Sequence, residues 1–173
     1  MKQIRRNVFE TNSSSSHSLS FTNISLVPNE MEIVDYSWEY EVDDVILVPL
    51  QGFCGEWDNS SQYEKLAYLI LQLGYITKHD YEVGNLYFHG SKEERIKALN
   101  DFYYTNEFME LESAICEHAG CKHIRIDLNT DGYIDHDSVA RDMDELRHYF
   151  MYGYSYVDLV FGADTNVHFE FLG

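Results

Sequence analysis

Ser61-Gln62-Tyr63-Glu64-Lys65-Leu66-Ala67-Tyr68-Leu69-Ile70-Leu71-Gln72-Leu73-Gly74 is the stretch on which the fold turns. Ser61 with Glu64 three residues on has the form of a capping box, in which each side chain satisfies the other's backbone amide. Tyr63, Leu66, Ala67, Ile70 and Leu73 then recur at helical spacing, and Gly74 marks the expected end. Towards the C-terminus, Ser91 and Glu94 form a second box, opening a helix through Ile96, Leu99 and Phe102. A third helix is predicted over 106–119, with Phe108, Leu111 and Ile115 on one face and Gly120 past its end. Val139, Met143, Leu146 and Phe150 make a fourth helical stripe. Towards the N-terminus the pattern changes to strands, over 19–23, 32–36 and 45–48. Trp38 and Tyr40 alternate with Glu39 and Glu41 as in a half-buried strand. Residues 52–61 read as a surface loop. His123 to Asp135 reads as a hairpin turning at Asp131-Gly132, and two final strands are expected over 156–161 and 167–172. The expectation is an α+β chain: a short mixed or antiparallel sheet with about four helices, in one compact domain over residues 1–173.

A chain of 173 residues, 45% of them hydrophobic, suits one domain and is not globally disordered. No apolar run reaches the length of a membrane span, no basic-then-apolar leader opens the chain, and three cysteines do not make a secreted disulfide framework. A cytoplasmic protein is expected. Against 12 lysines and arginines stand 30 aspartates and glutamates, a formal net charge of −18. No lysine or arginine occurs between Arg6 and Lys65, nor after Arg147. Charge segregated in this way creates a directional field that repels phosphates and attracts basic protein grooves, although an acidic balance also serves solubility. Direct nucleic-acid binding is therefore the weakest class, and no membrane role is expected. The expected partner is a basic nucleic-acid-binding protein, and the expected contact is formed by Glu30, Glu32, Asp35, Glu39, Glu41, Asp43 and Asp44. Fourteen tyrosines and ten phenylalanines fit either an aromatic-rich core or an interface with another chain, a second copy included. The run Tyr149, Phe150, Met151, Tyr152, Tyr154, Tyr156 poses that choice most sharply.

Three groups of residues suggest chemistry. Asp127, Asn129 and Asp131, followed by Gly132, Ile134 and Asp135, match a calcium loop through its ninth position. The match fails at the twelfth, where Ser138 replaces the bidentate glutamate, and an Asp-Gly hairpin tip explains the same residues. Cys116, His118, Cys121 and His123 are four borderline zinc ligands in eight residues, but not at a common finger spacing. A buried Cys116 at a helix end is the simpler reading, as is a small buried hydrophobe for Cys54. Thr11, Asn12, Ser13, Ser14, Ser15, Ser16 and His17, with Asp135 and His136, could build a polar ligand site or a serine nucleophile with its base. The same residues also make turns and satisfy backbone groups. No Gly-x-Ser-x-Gly elbow and no Walker loop is present, and no cofactor is expected.

Arg6-Asn7-Val8-Phe9-Glu10-Thr11-Asn12-Ser13-Ser14-Ser15-Ser16-His17-Ser18 resembles the opening of a group of small proteins from bacteriophages and mobile elements, mostly of unassigned function. Tyr133-Ile134-Asp135-His136-Asp137-Ser138 is similar to an Ile-Asp-His-x-Ser element of the same group. The resemblance implies a phage-borne accessory protein, and such proteins often counter host defences, as anti-CRISPR proteins do. It points to an inhibitor in the cytoplasm of the host bacterium. Its partner would be a nucleic-acid-handling effector, foremost a CRISPR nuclease of the Cas9 type, whose DNA binding or cleavage it would block. The alternatives are a small-ligand-binding protein or enzyme built on the serine-rich segment, and a virion or host-takeover factor with no active site.

Overall fold

The helix written into residues 61–74 forms, and it runs past its glycine. In the computed structural model of the protein, which describes residues 15–21, 24–37, 41–53, 57–59, 61–78, 87–134, 138–150 and 154–171, helix α1 spans Gln62–Lys78. The Ser61 hydroxyl accepts from the Glu64 amide (3.2 Å), and the Glu64 carboxylate accepts from the Ser61 amide (3.3 Å). Thirteen of the 17 residues of α1 are buried. A helix covered on all sides belongs in the middle of a molecule.

Burial gives the polar side chains of α1 a structural task. Gln62, Lys65 and Gln72 share one stripe of the helix, and each reaches the backbone of a different incoming segment. Gln62 accepts from the Glu30 amide (2.8 Å) and donates to the Pro28 carbonyl (2.9 Å). The Lys65 ammonium donates to the Gly162 carbonyl (3.2 Å) and to Thr165 Oγ1 (2.8 Å). Gln72 donates to the Ser138 carbonyl (3.0 Å) and accepts from the Ala140 amide (2.6 Å). Left unpaired, each such group would cost about 1–3 kcal/mol. Gly74 is not the end of the helix. It is the point where Phe88 meets α1, and a Cβ there would lie 2.2 Å from the Phe88 ring.

Among the described residues four further helices follow: α2 (Lys92–Tyr103), α3 (Asn106–Ala119), α4 (Met143–Tyr149) and α5 (Tyr156–Phe161). Ser91 and Glu94 form the expected box on α2. Thr105 caps α3 at its start, and Gly120 ends it at φ 78°. The short α5 overturns the strand expected over 156–161. Ser155 Oγ accepts from the Asp158 amide (3.2 Å), and Asp158 accepts from the Ser155 amide (2.7 Å), a third capping box. Capping outweighs the β-branched and aromatic composition of this segment.

The strands are β1 (Ser15–Phe21), β2 (Ile33–Ser37), β3 (Glu41–Val48), β4 (Gly52–Phe53), β5 (Trp57–Asn59), β6 (His123–Ile126), β7 (Tyr133–Ile134) and β8 (Thr165–Phe171). One sheet has the antiparallel order β1-β8-β5. A mixed sheet has the order β2-β3-β6, and β4 pairs with β7 alone. The chain is thus α+β. Residues 52–61 supply two short strands where a loop was expected. The hairpin over His123 to Asp135 does not form. Instead β6 runs parallel to β3 and β7 parallel to β4, so 123–134 travels beside 45–53 in the same direction. Gly132 lacks the left-handed conformation that a tight Asp-Gly turn requires, and it serves close approach: a Cβ would lie 2.9 Å from the Gln51 carbonyl.

The outer edge of β6 is closed by side chains. Glu112 of α3 accepts from the Ile124 amide (2.9 Å), and the Tyr103 hydroxyl of α2 accepts from the Ile126 amide (3.1 Å). A strand edge saturated in this way does not recruit another strand. One hydrophobic cluster reaches from Met31 to Val167. Phe150 and Tyr156 lie in it and Tyr149 and Tyr154 pack against it, so the described part of the aromatic run is core and not interface. Met151 and Tyr152 lie outside the described residues. No helix among the described residues is long and apolar enough to cross a membrane.

Two outcomes follow from this packing. Gly74→Ala gains helix propensity of about 1 kcal/mol but overfills the Phe88 contact. A net loss of about 1–2 kcal/mol is expected in urea unfolding, whereas a gain would mean that the ring yields freely. Burial also holds the phenols of Tyr68, Tyr103, Tyr149 and Tyr156 above the ordinary value of 10.0, to about 12 for Tyr103 and Tyr156. Above about pH 10 the unfolded chain releases these protons and the folded chain keeps them, so stability falls as pH rises from there. In a base titration followed by tyrosinate absorbance and circular dichroism, these four should ionise only together with loss of the fold.

Candidate functional site

The antiparallel pairing of β2 with β3 contains an irregularity. Val34 lies opposite Val45 and Tyr36 opposite Val42, so Asp35 faces two residues, Asp43 and Asp44. This is a β-bulge, and Asp44 takes φ 55° to make it. Aspartate is among the few residues that tolerate such a conformation. The bulge brings three carboxyl-bearing residues to one place on an exposed strand pair.

Lys122, at the entry to β6, answers this charge. Its amide donates to the Asp44 carbonyl (2.8 Å), and its ammonium lies 2.8 Å from Asp44 Oδ2. Its pKa is raised by the hydrogen bond and charge of Asp44 first, and then by Asp43 and Asp35. Both side chains of the ion pair are more than half exposed, so it adds little to stability and chiefly sets position. Glu30 and Glu32 continue the acidic surface where the chain enters β2. Their amides are anchored on α1, through Gln62 and through the Tyr63 hydroxyl (3.1 Å), while their side chains remain exposed. Glu41 is exposed at the start of β3, and Glu39 lies outside the described residues. Ile33, 37% exposed, adds an apolar element beside Asp35.

The acidic residues thus divide by task. Glu64, Glu94, Asp142 and Asp158 cap helices. Glu112 holds Arg125 (2.9 Å), and Asp131 holds Arg95 (2.9 Å). By contrast, the carboxylates of Glu30, Glu32, Asp35, Glu41 and Asp43 make no hydrogen bond or ion pair among the described residues. Exposed acids also occur on α2 and α3, at Glu93, Asp101, Glu110 and Glu117, so negative charge is concentrated at β2–β3 without being confined there.

The calcium-loop residues have protein partners. Asp127 Oδ1 accepts from the Asn129 amide and side chain (2.9 Å each), Lys92 donates to Asn129 Oδ1 (2.6 Å), and Arg95 binds Asp131 and the Leu128 carbonyl (3.3 Å). The guanidinium, 2% exposed, supplies positive charge to this loop. Nor do Cys116, His118, Cys121 and His123 gather as a zinc site. The two sulfurs are 2.6 Å apart, but His118 stacks on Phe161 (4.3 Å) and His123 Nδ1 turns to Glu112 (3.5 Å). Among the described residues no group of three or more His, Cys, Asp or Glu is placed to hold a metal.

Thr11, Asn12, Ser13, Ser14, Asp135 and His136 lie outside the described residues. Ser15, Ser16 and His17 open β1, opposite Phe171, Glu170 and Phe169 of β8. Ser138 is buried, and its carbonyl is one of the anchors on Gln72. Sequence reasoning did not single out Lys122 or Lys65, because their partners are 78 and 100 residues away. No family model matches the chain, and neither a curated protein nor a solved structure is significantly similar to it.

Replacing Asp131 by Asn removes the counter-charge of a buried guanidinium, and a loss of about 1–2 kcal/mol is expected in chemical denaturation. Calcium at millimolar level should leave the melting temperature of the parent protein unchanged. A rise on adding calcium would contradict the assignment of Arg95 as the cation of this loop.

Proposed function

We propose that the chain is an acidic docking protein that occupies a basic, nucleic-acid-binding groove of another protein. The observation that carries this reading is the group of five carboxylates on and beside β2–β3 that make no hydrogen bond or ion pair among the described residues. Three features of this surface suit the task. Asp35 and Asp43 lie close enough to add their charge, Ile33 gives a point that gains from desolvation, and the segment entering β2 is anchored on α1 at Glu30 and Glu32, so little ordering is lost there on binding. Electrostatic complementarity speeds encounter and excludes partners of the wrong sign.

The resemblance of the N-terminal segment narrows the partner to a host defence effector, foremost a CRISPR nuclease of the Cas9 type. Its positively lined channel holds nucleic acid through backbone contacts, as a row of carboxylates could mimic. The chain would act in the cytoplasm of an infected bacterium, as a competitor for DNA and not as a catalyst. Glu64, Glu94, Asp142 and Asp158 are engaged in capping, whereas the carboxylates of β2–β3 are grouped and exposed, as a mimic of a phosphate row requires.

The test is binding of the purified chain to a purified, guide-loaded effector, with DNA cleavage as a second readout. Binding is expected to weaken steadily as salt rises. A variant carrying Glu30→Gln, Glu32→Gln, Asp35→Asn, Glu41→Gln and Asp43→Asn should bind about ten-fold or more weakly while keeping its circular dichroism. Equal binding by this variant, or binding indifferent to salt, would sink the reading.

A further inference from the structure

Gly120 ends α3 in a left-handed conformation and donates its amide to the Cys116 carbonyl (2.9 Å). The chain then reverses, and Cys121, five residues after Cys116, is carried back over the last turn of the helix. Both cysteines are free, and their sulfurs share a hydrogen bond at 2.6 Å. Cys116 is buried, whereas Cys121 is half-buried. The geometry points to a thiol–disulfide redox site formed by Cys116 and Cys121, with a peroxide as oxidant and Cys121 as the attacking sulfur.

The division of roles rests on position first. The less buried residue, Cys121, is the one to meet the oxidant, and the buried Cys116 waits beside it, as a resolving thiol does. The shared hydrogen bond acts in the same direction: it lowers the Cys121 pKa, against the opposing charges of Glu112 and Asp44, and raises that of Cys116. The ionised form of Cys121 is the nucleophile.

The step balances as follows. The Cys121 thiolate attacks one oxygen of hydrogen peroxide and breaks the O–O bond. Hydroxide leaves, takes up a proton to become water, and Cys121 is left as a sulfenic acid. Cys116 sulfur then attacks Cys121 sulfur, the S–O bond breaks, and a second water leaves with the Cys116 proton. The two thiols lose two electrons in all, and one peroxide becomes two waters. A thiol such as glutathione reverses the bond by exchange. The sulfurs need to close by roughly half an ångström to reach bonding distance. The site is chemically independent of the docking reading. It adjoins the acidic bulge all the same, because the next residue, Lys122, holds Asp44.

Peptide mapping of the full chain tests the assignment. The protein is treated with one equivalent of hydrogen peroxide, alkylated with iodoacetamide and cut with trypsin, so that Cys116 and Cys121 fall in one peptide. The expected result is loss of both alkyl groups and of about 2 Da from that peptide, restored by dithiothreitol, with no change in a Cys54→Ala background. In Cys116→Ser, Cys121 should stop at a sulfenic acid that a dimedone probe traps. In Cys121→Ser, Cys116 should stay alkylatable. Three results would overturn the assignment: both cysteines remaining alkylatable in the treated parent protein, a disulfide involving Cys54 in place of this pair, or equal reactivity of the two single variants.

Discussion

A helix buried on every side, with three polar side chains that each grip another segment's backbone, organises this molecule. α1 has no solvent face on which to leave Gln62, Lys65 and Gln72. Each group must be satisfied inside, and the partners are the carbonyls and amides of residues 28–30, 138–140 and 162–165. These anchors lie along one stripe, so one helix sets where three distant parts of the chain arrive. Lys65 is the costliest of the three, because burial lowers its pKa and the groups that receive its hydrogen bonds, the Gly162 carbonyl and the Thr165 hydroxyl, are neutral. The Gly162 carbonyl and the Thr165 hydroxyl take its protons, and Thr165 in turn donates to Leu159 (2.6 Å), so the end of α5 and the start of β8 are joined to α1 through one network.

The acidic surface depends on that frame. The segment entering β2 is held by Gln62 and by the Tyr63 hydroxyl, which places Glu30 and Glu32 beside the bulge of Asp35, Asp43 and Asp44. Carboxylates facing one another across a strand pair destabilise it, and a bulge with a left-handed residue is itself a strained arrangement. Lys122 relieves part of this repulsion through Asp44 and leaves the rest exposed. Charges on an edge strand also deter strand pairing, so β2 gains protection from aggregation by the same residues. That protection needs one or two charges, whereas five carboxylates here make no hydrogen bond or ion pair among the described residues.

How much of this was legible beforehand depended on the reach of each interaction. Ser61 with Glu64 and Ser91 with Glu94 are local, three residues apart, and both helices start where those pairs place them. Gly120 likewise ends α3 as its position suggests. The Ser155–Asp158 box was equally local but was masked by a segment that reads as strand, Tyr-Val-Asp-Leu-Val-Phe. The hairpin over 123–135 failed for a different reason. Whether β6 folds back or runs beside β3 is decided by residues 45–53, about 80 positions away. The Asp127–Asp131 residues resemble a metal loop because aspartate and asparagine build turns and bind cations with the same oxygens, and here Arg95 reaches Asp131 from α2. The acidic stretch over 30–44 was evident from composition, but the bulge that gathers Asp35, Asp43 and Asp44 was not.

The most direct measurement compares thermal unfolding of the parent chain at low ionic strength with that of the variant in which Glu30, Glu32, Asp35, Glu41 and Asp43 carry amides. If these carboxylates serve only to meet a partner, relief of their mutual repulsion leaves the melting temperature unchanged or raises it. A fall equivalent to more than about 1 kcal/mol would show that they hold the fold, and the docking surface would lose its foundation.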